Sequence, residues 1–117
     1  MSWDDARISC RCSNSGELVS IEDSTLNDLV LKLAGNTEDG TWIGGTDYET
    51  EGTMKWSDGT TWSYENWNTN APNNGGTGGN QDCVSMKETG MSQLNYLHRC
   101  MTFIVLALFD LFCVAYC

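Results

Sequence analysis

The side chains in this 117-residue chain that could do covalent or metal chemistry are six cysteines, one histidine and 16 carboxylates. The cysteines stand at 10, 12, 83, 100, 113 and 117, with no paired Cys-x-x-Cys spacing, and His98 is the lone imidazole. A tetrahedral zinc centre is therefore poorly supported. No serine or cysteine forms a recognisable arrangement with His98, so nucleophilic catalysis lacks its parts and no enzyme is expected. Six cysteines in a small acidic chain point instead to disulfides and an oxidising compartment, with connectivity left open. A net charge of −10 offers no basic footprint for phosphate backbones, so nucleic acid is not an expected partner. The acids fit divalent-cation binding or plain solubility.

One polar segment stands out as a place to bind something. Between Trp42 and Cys83 lie four of the five tryptophans and the single proline. Residues 66 to 81, rich in Asn and Gly, show no regular pattern, and so long an irregular loop in a compact domain is usually functional. Rigid aromatics around a poorly hydrophobic loop suggest an apolar platform that presents a polar surface.

The elements that must position this loop follow from periodicity. Ser2 can cap a helix with Asp5 three residues on, and Trp3, Ala6 and Cys10 share one face. Asn14-Ser15-Gly16 breaks that helix, and Leu18 to Ile21 reads as a short strand or extended link. A second helix opens at Ser24 with Asp23 and Asp28 near its positive end; Leu26, Leu29, Val30 and Leu33 form its apolar face, and Gly35 ends it. After Gly40 the pattern turns to strands: Trp42-Ile43, then Met54 to Trp56 and Thr60 to Trp62 about an Asp58-Gly59 turn, then Asp82 to Met86 and Leu94 to Leu97.

In order and spacing these landmarks resemble the C-type lectin-like domain family. Trp3 with Ala6 and Cys10, then Leu18-Val19-Ser20-Ile21, is similar to its first helix and following strand. Trp42-Ile43-Gly44-Gly45 resembles its Trp-Ile-Gly signature, and Trp56-Ser57-Asp58-Gly59 with Asn66-Trp67 resembles the approach to its long loop. Pro72-Asn73 stands where the family has Glu-Pro-Asn or Gln-Pro-Asp, and Asp82-Cys83-Val84 with Cys100 resembles its closing cysteine pair. The resemblance implies an α+β fold, two helices flanking small antiparallel sheets, with a long irregular ligand-binding loop. The domain is expected over residues 1–109, followed by an atypical apolar tail over 110–117.

The resemblance also implies a non-enzymatic module in which a loop calcium, held by hard oxygens, takes two vicinal sugar hydroxyls. The Ala71-Pro72 bond is expected to be cis, turning side chains on both sides toward one ion. The matching carbohydrate-binding positions are Asn73, Gln81 and Asn95, all amides, with Ala71 in place of an acid or amide and Tyr96 in place of an aspartate. Affinity for calcium follows ligand charge, so this principal site is expected to be lost or very weak. A second, structural calcium position would use Asp47, Glu51, Asn74, Gln81 and Asp82. Against it stands a solvated acidic turn at Asp47, Glu49 and Glu51, the commoner fate of such clusters and the preferred reading, which leaves at most one weak Ca²⁺ site. Trp62 and Tyr64 could stack on a sugar face, but strand packing is preferred.

For disulfides, the resemblance implies Cys83 with Cys100, and Cys10 with a cysteine on the last strand, where Cys113 and Cys117 are available; Cys12 has no assigned partner. Met1 to Asp5 has neither a basic start nor an apolar signal core, so the chain is expected to be a piece of a secreted, extracellular protein or the product of a gene model lacking its first exon. Met101 to Cys117 is nearly all apolar, 17 residues long with Asp110 near its middle, which argues against a membrane span. That tail reads either as an overlong final strand or as a stray from the true reading frame or exon boundary, and the second is preferred. The expected partner is a glycan or glycoprotein, or else a protein bound without calcium; an inert truncated fragment is the remaining alternative.

Overall fold

The computed structural model describes residues 1–14, 16–34, 40–69, 71–72, 81–87, 90–94 and 115–116. Helix α1 spans Trp3–Asn14 and α2 spans Ser24–Ala34; strands β1 to β5 are Thr41–Thr46, Lys55–Trp56, Cys83–Lys87, Gly90–Leu94 and Ala115–Tyr116. The fold is α+β, as the resemblance implied.

Helix α1 starts where the sequence indicates. Asp5 N donates to Ser2 Oγ at 3.1 Å, and Ser2 N donates to Asp5 Oδ2 at 3.2 Å, so two otherwise orphaned donors are satisfied reciprocally. Its buried stripe is Trp3, Ala6 and Cys10. Helix α2 opens at Ser24 as expected, and Asp23 caps it, its Oδ1 accepting from Leu26 N at 2.7 Å. Its apolar face is narrower than expected. Val30 is buried, but Leu29 is 43% exposed, and Asn27 turns inward instead.

Strand β1 is the centre of the sheet. It pairs antiparallel with β3 along one edge, and on the other edge with β2 at Gly45 and Thr46 and with β5 at Thr41 and Trp42. Strand β4 pairs with β3 through all five of its residues, from Gly90 opposite Lys87 to Leu94 opposite Cys83. That strand begins earlier than the 94–97 segment expected, and residues 95–97 lie outside the described residues. The pairing of Ala115 and Tyr116 with β1 draws part of the supposed tail into the sheet.

Alternation along these strands gives the sheet a core on each face. Trp42 and Cys83 pack with Trp3, Ala6, Cys10 and Leu18 under α1. Their neighbours Ile43 and Val84 pack with Val19, Ile21, Val30, Trp56, Met86 and Met91. The indoles are anchored as well as buried: Trp3 Nε1 donates to Ile43 O at 2.8 Å and Trp42 Nε1 to Met1 O at 3.2 Å. Gly44 is required by a close crossing. A β-carbon there would lie 2.8 Å from Leu18 O and 2.9 Å from Ser57 Oγ, while Gly44 N donates to Val19 O at 2.8 Å.

Two expectations are corrected here. The Asp58-Gly59 turn forms, with Gly59 at φ 85° and its N–H on Trp56 O at 3.1 Å, but residues 60–62 do not return as a strand. Side chains hold this segment in place of a ladder. Ser20 Oγ donates to Asp58 Oδ2 at 2.8 Å, Thr60 N donates to Asp58 Oδ1 at 2.9 Å, and Trp62 stacks on Trp56. The second correction concerns sulfur. Cys83 is a buried free thiol, so the bridge to Cys100 expected from the resemblance is absent, and burial ahead of the charges of Asp4 and Asp82 pushes its thiol up to about 12. Cys10 is disulfide-bonded to a partner outside the described residues, and Cys12 is free and exposed.

Candidate functional site

The long loop is gripped at both stems. At the first, Met91 N donates to Asn66 O at 2.8 Å and Asn68 N donates to Met91 O at 2.9 Å, which lays residues 66–68 parallel to the start of β4. Asn68 O then accepts from Ala71 N at 2.9 Å, one residue before the Ala71-Pro72 bond, which is cis as expected. Beneath this stem the indoles stack: Trp56 and Trp62 are 4.3 Å apart between ring centroids, and Trp62 and Trp67 are 6.0 Å apart. Trp62 Nε1 donates to Glu65 Oε1 at 2.7 Å, and both Trp62 and Tyr64 pack against the core. Their packing role, rather than a sugar-stacking one, is the reading this geometry favours.

The second stem runs through Gln81 and Asp82. The Asp82 carbonyl accepts from Thr46 Oγ1 at 2.6 Å and from Asp47 N at 3.1 Å, tying the loop's return to the end of β1. Asp47 Oδ2 accepts from Gly52 N at 3.1 Å, so this carboxylate closes the 47–52 turn. Asp47 and Asp82 are both buried, and burial together with the Asp47 charge raises the Asp82 carboxyl above its ordinary value.

Of the expected ligand positions, the structure therefore brings Asp47 and Asp82 together beside Gln81. Asn73, Asn74, Asn95 and Cys100 lie outside the described residues, as does His98. Glu51 is exposed on the 47–52 turn. Among the described residues, no three His, Cys, Asp or Glu side chains converge into a set able to hold a metal. The calcium the resemblance implies would meet, among the described residues, two adjacent carboxylates, Asp47 and Asp82, of the six to eight oxygens such an ion takes.

The clamp formed by Asn66, Asn68, Gly90 and Met91 went unread in the sequence. Its one signal is Gly90 after Glu88-Thr89, since an isolated glycine between strand-like runs marks a turn or a close backbone approach.

Comparison with known proteins agrees with this architecture. The Lectin C-type domain family matches residues 1–102. The chain is 42% identical over 88 residues to the low affinity immunoglobulin epsilon Fc receptor of Mus musculus, and 37% identical over 90 residues to lithostathine of Rattus norvegicus. These matches cover 75% and 74% of this chain but only 25% and 52% of those proteins, so it spans about half of their length or less. Among solved structures, the cow C-type carbohydrate-recognition domain of CD23, determined in the presence of a GlcNAc2Man3 oligosaccharide, superposes with a TM-score of 0.71 at 32% identity. That superposition covers 80% of this chain and 70% of the other. This chain belongs to the C-type lectin domain family.

Proposed function

We propose that this chain is a non-enzymatic glycan-recognition module of an extracellular protein, presenting its ligand on the 66–81 loop, with a principal calcium and sugar site reduced to amides. The observation that carries this reading is the contrast between firmly held loop stems and a sequence without an acid at Ala71 and Gln81. Both stems are pinned, yet the methyl group of Ala71 stands before the cis proline and Gln81 stands at the return. Kinship with a carbohydrate-recognition domain and with lithostathine supports a glycan or glycoprotein ligand. Secretion is supported by the six cysteines and by the family.

The second reading is a calcium-independent protein-binding domain using the same loop. It is favoured by the Gly52 N–H on Asp47 Oδ2, which occupies one of the two oxygens of a would-be calcium ligand. One experiment separates the two. Glycan-array and protein pull-down measurements are made with calcium and with EDTA, on the native chain and on a variant whose 66–81 loop is exchanged for a Gly/Ser linker. Glycan binding lost with the loop supports the first reading, and protein capture lost with the loop supports the second. Glycan binding abolished by EDTA would restore the calcium site and overturn the claim that it has decayed.

A further inference from the structure

We propose that the outer face of α1 is the contact surface for a second copy of this chain, the two α1 helices packing antiparallel about a two-fold axis beside Ile8. Helix α1 turns Trp3, Ala6 and Cys10 inward. Its opposite side carries Asp4, Ile8 and Arg11, at i, i+4 and i+7, which fall in one stripe on an α-helix. All three are exposed, Ile8 at 57%. A lone exposed isoleucine is ordinary on a protein surface; what sets this one apart is its flanks.

Charge gives the stripe a direction. Asp4 lies in the first turn, and among the described residues no hydrogen bond or ion pair engages its carboxylate. Arg11 lies in the last turn with its side chain 54% exposed. It shares Glu17 with Arg7, so two guanidiniums meet one carboxylate and one positive charge is left over.

An antiparallel two-fold reverses position along the helix and keeps the flank. With the axis between positions 7 and 8, Ile8 meets the second copy's Ile8, and Asp4 meets the second copy's Arg11, once at each end. One surface thus supplies both halves of each ion pair, as an isologous contact requires. A parallel pairing would instead set Asp4 against Asp4 and Arg11 against Arg11. In a chain of net charge −10 most other faces repel their own copies, so this stripe selects both the partner and the register. The helix is also a firm base for the contact. Ser2 and Asp5 fix its start, Trp3 Nε1 is bonded to Ile43 O, and Cys10 is held in a disulfide. Because the stripe is short, the contact falls below the roughly 1,200 Å² of stable complexes, and the dimer is weak and salt-sensitive.

Sedimentation equilibrium of the full chain, from micromolar to millimolar concentration in low and physiological salt, tests this. A monomer–dimer equilibrium weakened by salt is expected. Ile8→Glu should abolish it at an unchanged Tm, since Ile8 lies outside both cores. Arg11→Glu and Asp4→Arg should each weaken it about tenfold. An equimolar mixture of those two variants should associate again, because every facing pair is then opposite in sign. Ile8→Cys in a Cys12→Ser background checks the register. Its cysteines sit beside the axis and should join in oxidised glutathione. The parent's two Cys12 residues lie roughly 13 Å apart along the helices and are out of disulfide reach. A chain monomeric throughout, a dimer indifferent to Ile8→Glu, a mixture that fails to associate, or a Cys12–Cys12 disulfide in the parent would overturn the assignment.

Discussion

Gly90 and Asn66 stand so close that a β-carbon on the glycine would lie 2.6 Å from the asparagine carbonyl oxygen. The glycine also holds φ at 131°, a backbone conformation that L side chains rarely adopt. Through this contact the first stem of the loop rests on the turn between β3 and β4. Gly90→Ala therefore adds backbone strain to an overlap with main chain that cannot swing aside. It is expected to cost about 2 kcal/mol or more in urea unfolding. Limited proteolysis of the folded variant should also cut faster between 66 and 81. A variant as stable as the parent, with unchanged cleavage, would show that the stem can move without consequence.

The elements that carry strong local signals are legible in the sequence. Ser2 and Asp5 announce a capping box, and Trp42 beside Ile43 announces a strand buried on both faces. What could not be read is what depends on long-range approach. The hairpin expected at Asp58-Gly59 has its turn but loses its second strand, because Ser20, from a segment 38 residues away, takes the Asp58 carboxylate. Leu29 fits helical periodicity and still faces out, since the core beneath α2 is filled from Ile21, Val30 and Ile43. At the site, cis Pro72 followed from family spacing, but Asp47, read by preference as part of a solvated acidic turn with Glu49 and Glu51, is buried instead. The stem clamp did not follow, because hydrogen bonds between backbone groups leave no residue-type signature beyond the lone Gly90.

The two free thiols of the described residues should differ sharply in reactivity. Thiolate is the reacting form. Cys12 is exposed on α1, whereas Cys83 is 2% exposed with its thiol pushed up to about 12 by burial and by the nearby carboxylates. Peptide mapping after brief iodoacetamide treatment of the native chain at neutral pH is expected to find Cys12 modified and Cys83 untouched until denaturant is added. Recovery of Cys83 in a disulfide-linked peptide would contradict the free thiol described here.

Glu17 receives Arg7 and Arg11 at once, and these hydrogen bonds tie the end of α1 to the following segment. Burial works to raise the Glu17 carboxyl, but the hydrogen bonds and charges of the two arginines outweigh it and hold the group below its usual 4.5. A depressed carboxyl contributes stability above its unfolded value and loses it as pH falls through the folded one. Glu17→Gln should therefore cost about 1 kcal/mol at neutral pH, where the ion pairs are partly shielded from water. The gap between variant and parent should close as pH drops below 4.5. A gap that persists in acid would assign the effect to packing instead of charge.

Asp82 has the opposite sign. Burial first, and the Asp47 charge second, raise its carboxyl above 3.8, so keeping it ionised works against the fold. Its favourable contribution is complete below 3.8 and is lost as pH rises through the folded value. Asp82→Asn removes that charge while sparing the stem, because Thr46 Oγ1 and Asp47 N both bond to the Asp82 carbonyl and not to its side chain. In EDTA at neutral pH the variant is expected to melt higher than the parent, with the advantage shrinking toward acid. Calcium supplies the check on the weak structural site. At a concentration equal to Kd, binding to the folded state adds only about 0.4 kcal/mol, so millimolar calcium should move the parent's Tm little and the variant's not at all. A large calcium-dependent rise in the parent, absent from Asp82→Asn, would mean that these two carboxylates grip an ion after all, with the missing oxygens drawn from outside the described residues.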